Sequence, residues 1–360
     1  MEIELRHIHK RFGSVHANND ISAVFPAGRI TGILGENGAG KSTLMKILSG
    51  FQPADHGDIL VDGKPAHFGS PEDAIQQGIG MLQQDPLDVG AFSTLENFVY
   101  GRPEKVLPDW QSARSELEQR SAQLGFDLEA EAPVERMSIA LRQQLEIVRL
   151  LALGVNALIL DEPTTGISAE QKQILFAALQ ELAHRDGVII LLVSHKLEDV
   201  ITLCDRVVVL RAGQRIGEED MPAPGETDSA MLDRIKSQLV HLMFGQELGP
   251  HERQQVNLER IVLQLENLCL RDRRLQIEGL NLSLRQGEVI GLAGLDNSGQ
   301  GLTMRAICGL ETVSSGRVLL EDEEMTNRRY RDFLHKGVVF GAAGRREEGL
   351  LAGLTRTEHL

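Results

Sequence analysis

The sequence predicts an α/β fold that is built once in full and then begun a second time. Three observations carry this reading. The apolar runs Ile30–Leu34 (ITGIL), Ala157–Asp161 (ALILD) and Val188–Val193 (VIILLV) are continuous rather than alternating, as strands buried on both faces of a parallel sheet are. The first of them runs into a glycine-rich loop and then a helical pattern, TLMKIL. Sliding residues 28–57 along the chain by 259 positions, without a gap, places Gly28, Gly32, Gly35, Gly40, Gly50 and Gly57 on Gly287, Gly291, Gly294, Gly299, Gly309 and Gly316. Glycine marks backbone that needs positive φ or close approach, so six coincidences imply the same turns in the same order, and hence a duplicated domain.

At the N-terminus, MEIELRHIHKRF alternates apolar and polar residues and lacks a signal peptide's long apolar segment, so it reads as a first strand. After Ile30–Leu34, the loop Gly35–Ser42 (GENGAGKS) fits GxxxxGK[ST] between a strand and a helix. Its chemistry is that of a phosphate cradle at a helix N-terminus. Gly35, Asn37, Gly38, Ala39, Gly40 and Thr43 are the candidate cradle residues, Lys41 neutralises β and γ phosphates, and Ser42 offers a hydroxyl to Mg²⁺.

The strand Ala157–Asp161 ends in two carboxylates, Asp161 and Glu162. An acidic pair after a strand is by itself commonly a solvated turn. Beside a phosphate cradle, Asp161 can hold the Mg²⁺ shell and Glu162 can polarise an attacking water, because phosphoryl transfer is chiefly positioning and charge stabilisation. Val188–Val193 leads to Ser194 and His195. His195 is therefore at a strand's carboxyl end, where open α/β sheets bind ligands, and is a candidate contact for the γ-phosphate.

In order and spacing, Lys41, Asp161, Glu162 and His195 resemble the Walker A lysine, Walker B aspartate, catalytic glutamate and switch histidine of the ATP-binding cassette (ABC) ATPases, and the resemblance extends over essentially the whole chain. It implies a P-loop NTPase fold of the ABC type, with ATP and Mg²⁺ as ligands. Glu162 and His195 are then catalytic, with Ser42, Asp161 and Gln84 at the metal. It also puts Phe12 (KRFGS) where an aromatic stacks on adenine, and Gln84 (GMLQQDP) at a loop glutamine that senses Mg²⁺ and the membrane partner, with Gln83 the second choice. From the residues alone, Phe12 is equally an ordinary core residue of a first hairpin. The expected organisation is a cassette over 1–244 with a helical subdomain near 92–150, a polar linker over 245–258, and the N-terminal part of a second cassette over 259–360. The Glu, Gln, Ala and Leu content of residues 92–133 favours helix independently, and Ser229–Met243 reads as an amphipathic helix before the linker.

The chain departs from the family pattern in three places. The signature LSGGQ, which caps a γ-phosphate across a cassette dimer, reads Met137–Leu141 (MSIAL); Ser138 remains, but Ile139, Ala140 and Leu141 bring side chains where phosphate approaches backbone. In the second copy, Gly294–Gly301 (GLDNSGQG) has Gln300 and Gly301 in place of the lysine and serine. Head-to-tail pairing sets the weak signature against this defective loop. One degenerate site and one competent site are expected, the latter completed by a signature beyond Leu360, so that this chain alone binds MgATP and turns over slowly or not at all. Ser168 (PTTGIS) stands where the family has an aspartate. It either weakens coupling between the sites or caps a helix beginning near Ala169.

The fused copies, Gln300, the stretch HLMFGQE at 241–247, and Arg345, Arg346, Gly349 and Leu350 in GRREEGLL resemble the importers of simple sugars and nucleosides. That implies transmembrane permease subunits as partners, an external solute-binding protein indirectly, pairing of cassettes within or between chains, and a peripheral place on the cytoplasmic face of the cell membrane. Composition agrees. At 42% hydrophobic and 25% charged the 360 residues are ordinarily globular, and a net charge of −15 argues against the basic footprint of a nucleic-acid binder. Val188–Val193 is the longest strongly apolar run, far below the roughly 20 residues of a membrane span. Cys204, Cys269 and Cys308 match no zinc spacing and read as reduced, buried thiols in the cytosol. The rival readings are a soluble twin-cassette ATPase outside transport and an ATP-binding fragment that does not hydrolyse.

Overall fold

The computed structural model describes residues 1–83, 88–102, 108–222, 229–245, 260–272, 275–294 and 298–341. The chain divides into two compact units, Met1–Pro250 and His251–Leu360.

In the first unit, the alternating N-terminus forms the hairpin of β1 (Glu2–Phe12) and β2 (Val15–Pro26), extended by β4 (His56–Val61) and β5 (Lys64–Ala66) into an antiparallel sheet of order β2–β1–β4–β5. Its apolar face, with Ile3, Leu5, Ile8 and Phe25, packs with Leu44 and Met45 of α1 (Lys41–Leu48) and with Ile33, Ile159 and Leu191 of a second sheet. That second sheet has the order β10–β9–β3–β8–β7–β6, where β3 is Ile30–Leu34, β6 Ile79–Leu82, β7 Ala157–Asp161, β8 Ile189–Val193, β9 Arg206–Arg211 and β10 Gln214–Asp220. All but β10 are parallel. The other face, including Ile30, Leu34, Ile190 and Leu192, is covered by a core that takes in Leu175 and Leu179 of α6 (Ala169–His184). Burial on both faces is why these strands read as continuous apolar runs.

The helical insertion comprises α3 (Thr94–Val99), α4 (Trp110–Gln123) and α5 (Ile139–Ala152) between β6 and β7, the short α2 (Pro71–Gln76) preceding β6. α7 (Leu197–Leu203) follows β8, and α8 (Ser229–Phe244) is the helix expected before the linker. Several starts are chemically specified. The Asp109 side chain accepts from Ser112 N–H at α4, and the Ser138 hydroxyl accepts from Leu141 N–H at α5. Ser168 caps α6, accepting from Gln171 N–H at 3.2 Å while the Gln171 side chain accepts from Ser168 N–H at 3.0 Å.

The second unit repeats the antiparallel half. β11 (Ile261–Arg271), β12 (Gln276–Arg285), β13 (Val313–Leu320) and β14 (Glu323–Glu324) have the order β12–β11–β13–β14, with α9 (Gln300–Ala306) and α10 (Tyr330–His335). Four glycine pairs share positive φ: 70° and 79° at Gly28 and Gly287, 99° and 114° at Gly40 and Gly299, 74° and 72° at Gly50 and Gly309, 98° and 89° at Gly57 and Gly316. The repeat lapses at β3 and resumes after it. Its counterpart, residues 289–293, forms no strand. Val289 is 95% exposed, whereas its equivalent Ile30 is fully buried between β8 and β9. One expectation is corrected: Cys204 and Cys308 are buried, but Cys269 is only half-buried, at a bulge where its sulfur accepts from Gly279 N–H.

Candidate functional site

The site is assembled by strand register. Val193 of β8 pairs with both Ile33 of β3 and Asp161 of β7, so the carboxyl ends of three parallel strands lie level at one edge. The loop after β3 enters α1 through Gly40 at φ 99°, ψ 3°. A Cβ there would lie 2.2 Å from the Ala17 carbonyl oxygen of β2, so the position needs glycine for conformation and for space. Asn18, fully buried, holds the same turn by donating from Nδ2 to the Gly40 carbonyl at 3.1 Å.

A cleft of about 280 Å³ opens at this edge, lined by Val15, Ala17, Asn37, Gly38, Gly40, Lys41, Ser42, Thr43, Asp161, Glu162 and Val193. Eight of the residues expected from sequence thus share one cleft. Gly35 and Ala39 stand behind it: the Gly35 carbonyl accepts from Lys41 Nζ at 2.7 Å, with the Glu36 carbonyl at 3.0 Å, and Ala39 is buried. His195 reaches the site through Glu162, its Nδ1 lying 2.5 Å from Oε1. Phe12 is cross-strand from the cleft residue Val15 and is 50% exposed, with Lys10 Nζ 5.7 Å from its ring centroid, so it is not a core residue. Gln84 lies outside the described residues, as do Arg345, Arg346, Gly349 and Leu350; Gln83 directly follows β6. Sequence reasoning missed Val15, Ala17 and Asn18, and the available signal was their place on the strand returning from Phe12.

Charge in the cleft is unbalanced. Burial lowers the pKa of Lys41, with Glu162 and Asp161 opposing. Burial and then the neighbouring Glu162 raise that of Asp161, against a hydrogen bond from Ser42 and the charges of Lys41 and Lys46. A desolvated ammonium suits an anionic ligand, and the paired Ser42 hydroxyl and Asp161 carboxylate are the hard oxygen donors a small divalent cation takes. Glu162 itself sits at φ 52°, its N–H donating to the Val193 carbonyl at 2.9 Å.

A larger cavity, about 590 Å³, lies on the helical insertion between Phe92, Tyr100, Arg102 and Trp110, and it has no phosphate cradle. At the signature position, Ser138 is engaged as the α5 cap and Ile139 is 43% exposed on the first turn. In the second unit, Gly299 repeats the left-handed turn before α9, but the helix opens on Gln300 and Gly301.

The family model described as ABC transporter matches residues 18–165 and 277–347, more than half of the chain. The chain belongs to the ABC transporter family. Over 99% of its length this ABC protein is 32% identical to the nucleoside import ATP-binding protein NupA of Lactococcus lactis subsp. cremoris, of which it covers 70%. It is 33% identical over its whole length to the ribose import ATP-binding protein RbsA of Chromobacterium violaceum, again covering 70%. Its fold matches that of an ABC transporter cassette solved in an ADP conformation, at a TM-score of 0.58 and 24% identity, over 68% of this chain and all of the other. This ABC protein is an ATPase.

Proposed function

We propose that this ABC ATPase is the motor subunit of an importer for a simple sugar or nucleoside, acting from the cytoplasmic face of the membrane on transmembrane permease subunits that an external solute-binding protein supplies. The import names of its relatives support the solute class. The observation that carries the chemistry is the convergence of Lys41, Asp161 and Glu162 on one cleft, with His195 2.5 Å from Glu162.

In this reading residues 1–244 form the working cassette, 245–258 a linker, and 259–360 the start of a second cassette. Lys41 and the loop amides hold the β and γ phosphates, and Phe12 stacks on the adenine. Ser42, Asp161 and Gln84 would hold Mg²⁺, which supplies charge neutralisation at the β and γ oxygens when bound. Glu162 takes a proton from a water whose oxygen attacks the γ-phosphorus; the bond to the β–γ bridging oxygen breaks and its electron pair leaves with ADP. A carboxylate only accepts, so the His195 Nδ1–H donates to Glu162 and orients its carboxylate toward the water. A signature from another cassette face completes the site, the Ile139-bearing one being a weak cap. In the reconstituted transporter, Glu162→Gln should keep MgATP binding and lower phosphate release by roughly 10²–10⁴-fold. Unchanged release rejects the assignment of Glu162, and hydrolysis with no permease bound would favour a soluble twin-cassette ATPase.

A further inference from the structure

Glu162 and His195 lie on separate loops, after β7 and β8, and the first loop is strained: at φ 52° a non-glycine residue persists only where its surroundings hold it. A line of polar contacts provides that hold. Lys196, next to His195, crosses to the other loop, its Nζ donating to the Thr164 carbonyl at 2.9 Å and lying 3.3 Å from Thr164 Oγ1. Thr164 is 5% exposed, and its hydroxyl donates at 2.5 Å to Asp199 of α7, itself 2% exposed. The second Asp199 oxygen accepts from Lys172 of α6 at 2.9 Å. The Lys196 ammonium therefore joins the two loops, and the Asp199–Lys172 pair, reached through the Thr164 hydroxyl, joins the two helices that follow them. None of these four side chains lines the nucleotide cleft.

We propose that Lys196 is a positioning residue that holds the Glu162 carboxylate and the His195 imidazole in register for hydrolysis. The inference rests on the catalytic reading above. Without the ammonium, the Thr164 carbonyl loses its cross-loop partner, and the chain two residues after Glu162 is free to relax its left-handed turn. Displacement of a catalytic group on the ångström scale slows chemistry without changing ground-state binding.

The test compares Lys196→Met, Lys196→Arg and Glu162→Gln in the reconstituted transporter. Lys196→Met should lower kcat roughly 10- to 100-fold, with KM for ATP and MgATP affinity within about twofold. Lys196→Arg, which keeps a cationic donor, should recover most of kcat. Nitrogen NMR of ring-labelled histidine should show the His195 Nδ1 signal of the native protein lost in Lys196→Met and regained in Lys196→Arg, a readout independent of turnover. An unchanged kcat and His195 signal in Lys196→Met, beside a Glu162→Gln variant that is inactive, overturns the clamp alone. If Glu162→Gln is fully active, the catalytic reading fails and the clamp falls with it. Equal losses of kcat, nucleotide binding and thermal stability, not recovered by arginine, would make Lys196 a folding residue and also overturn the proposal.

Discussion

Residues 28–57 and 287–316 share a glycine frame and turn alike, yet Ile30 is fully buried while Val289 is 95% exposed, and Lys41 faces a cleft where the second copy has Gln300. A turn is decided by the backbone freedom of the residues in it. A buried strand needs neighbours, and β3 has β8 and β9 from far along the chain; among the described residues of the second unit no such strands flank 289–293. A phosphate site needs, besides its turn, an ammonium and a hydroxyl. The antiparallel halves agree because their central pairings join strands adjacent in sequence, β1 with β2 and β11 with β12.

The comparison can be broken first at its buried position. Ile30→Ala should cost about 2–5 kcal/mol of stability by cavity formation, whereas Val289→Ala should stay within about 0.5 kcal/mol; urea unfolding of both variants measures the contrast. Equal costs would mean that 289–293 is packed like β3 in solution. Next in size, Lys41→Ala should remove roughly 1.5–3 kcal/mol of MgATP binding, read by calorimetry. The reciprocal double change Gln300→Lys with Gly301→Ser restores the missing groups, and one bound nucleotide per chain is still expected, because residues 289–293 behind that loop form no strand and pair with none among the described residues. A second bound nucleotide would show that the local frame suffices.

A smaller effect follows from the unbalanced charges of the first copy. The pKa of Asp161 is raised above 3.8 on folding, so its contribution to stability is present below that value and lost as pH rises through the raised pKa. Lys41 has its pKa lowered from 10.5, so its contribution is present above 10.5 and lost as pH falls through the lowered value. Both count against the nucleotide-free protein at neutral pH. Asp161→Asn should therefore raise its stability by about 0.5–2 kcal/mol while removing the extra stabilisation by Mg²⁺ with ATP; thermal unfolding with and without each ligand checks both. At the small end, Ser168→Ala should cost about 1 kcal/mol as a lost helix cap, and Ser168→Asp should keep the stability. A rise in turnover for Ser168→Asp would show that coupling between sites, rather than capping alone, is sensitive to this position.

Contiguous features were the legible ones. The Gly35–Ser42 loop, the first strand, the buried strands and the helix before the linker all emerge where local pattern placed them, because a turn, a period or a cap is a property of neighbouring residues. Phe12 was undecided between core and site, since exposure at a hairpin tip depends on what the sheet packs against. Val15, Ala17 and Asn18 were missed, as they carry no phosphate chemistry and matter through where β2 passes the P-loop. Cys269 was misjudged because a strand bulge, not composition, sets its exposure. The line from Lys172 through Asp199 and Thr164 to Lys196 spans four segments and has no sequence signature.

By itself the sequence determined the turns, the strand and helix periods, and which residues carry an ammonium, a hydroxyl, a carboxylate or an imidazole. Only the tertiary structure decided that these groups meet. Parallel strands are joined by long crossovers, so neighbours in the sheet are distant in the chain, and the pairing order β3–β8–β7 brings Lys41, Glu162 and His195 to one edge. That order is selected by burial of whole faces against two cores, a property of the assembled layers that no short stretch of residues contains.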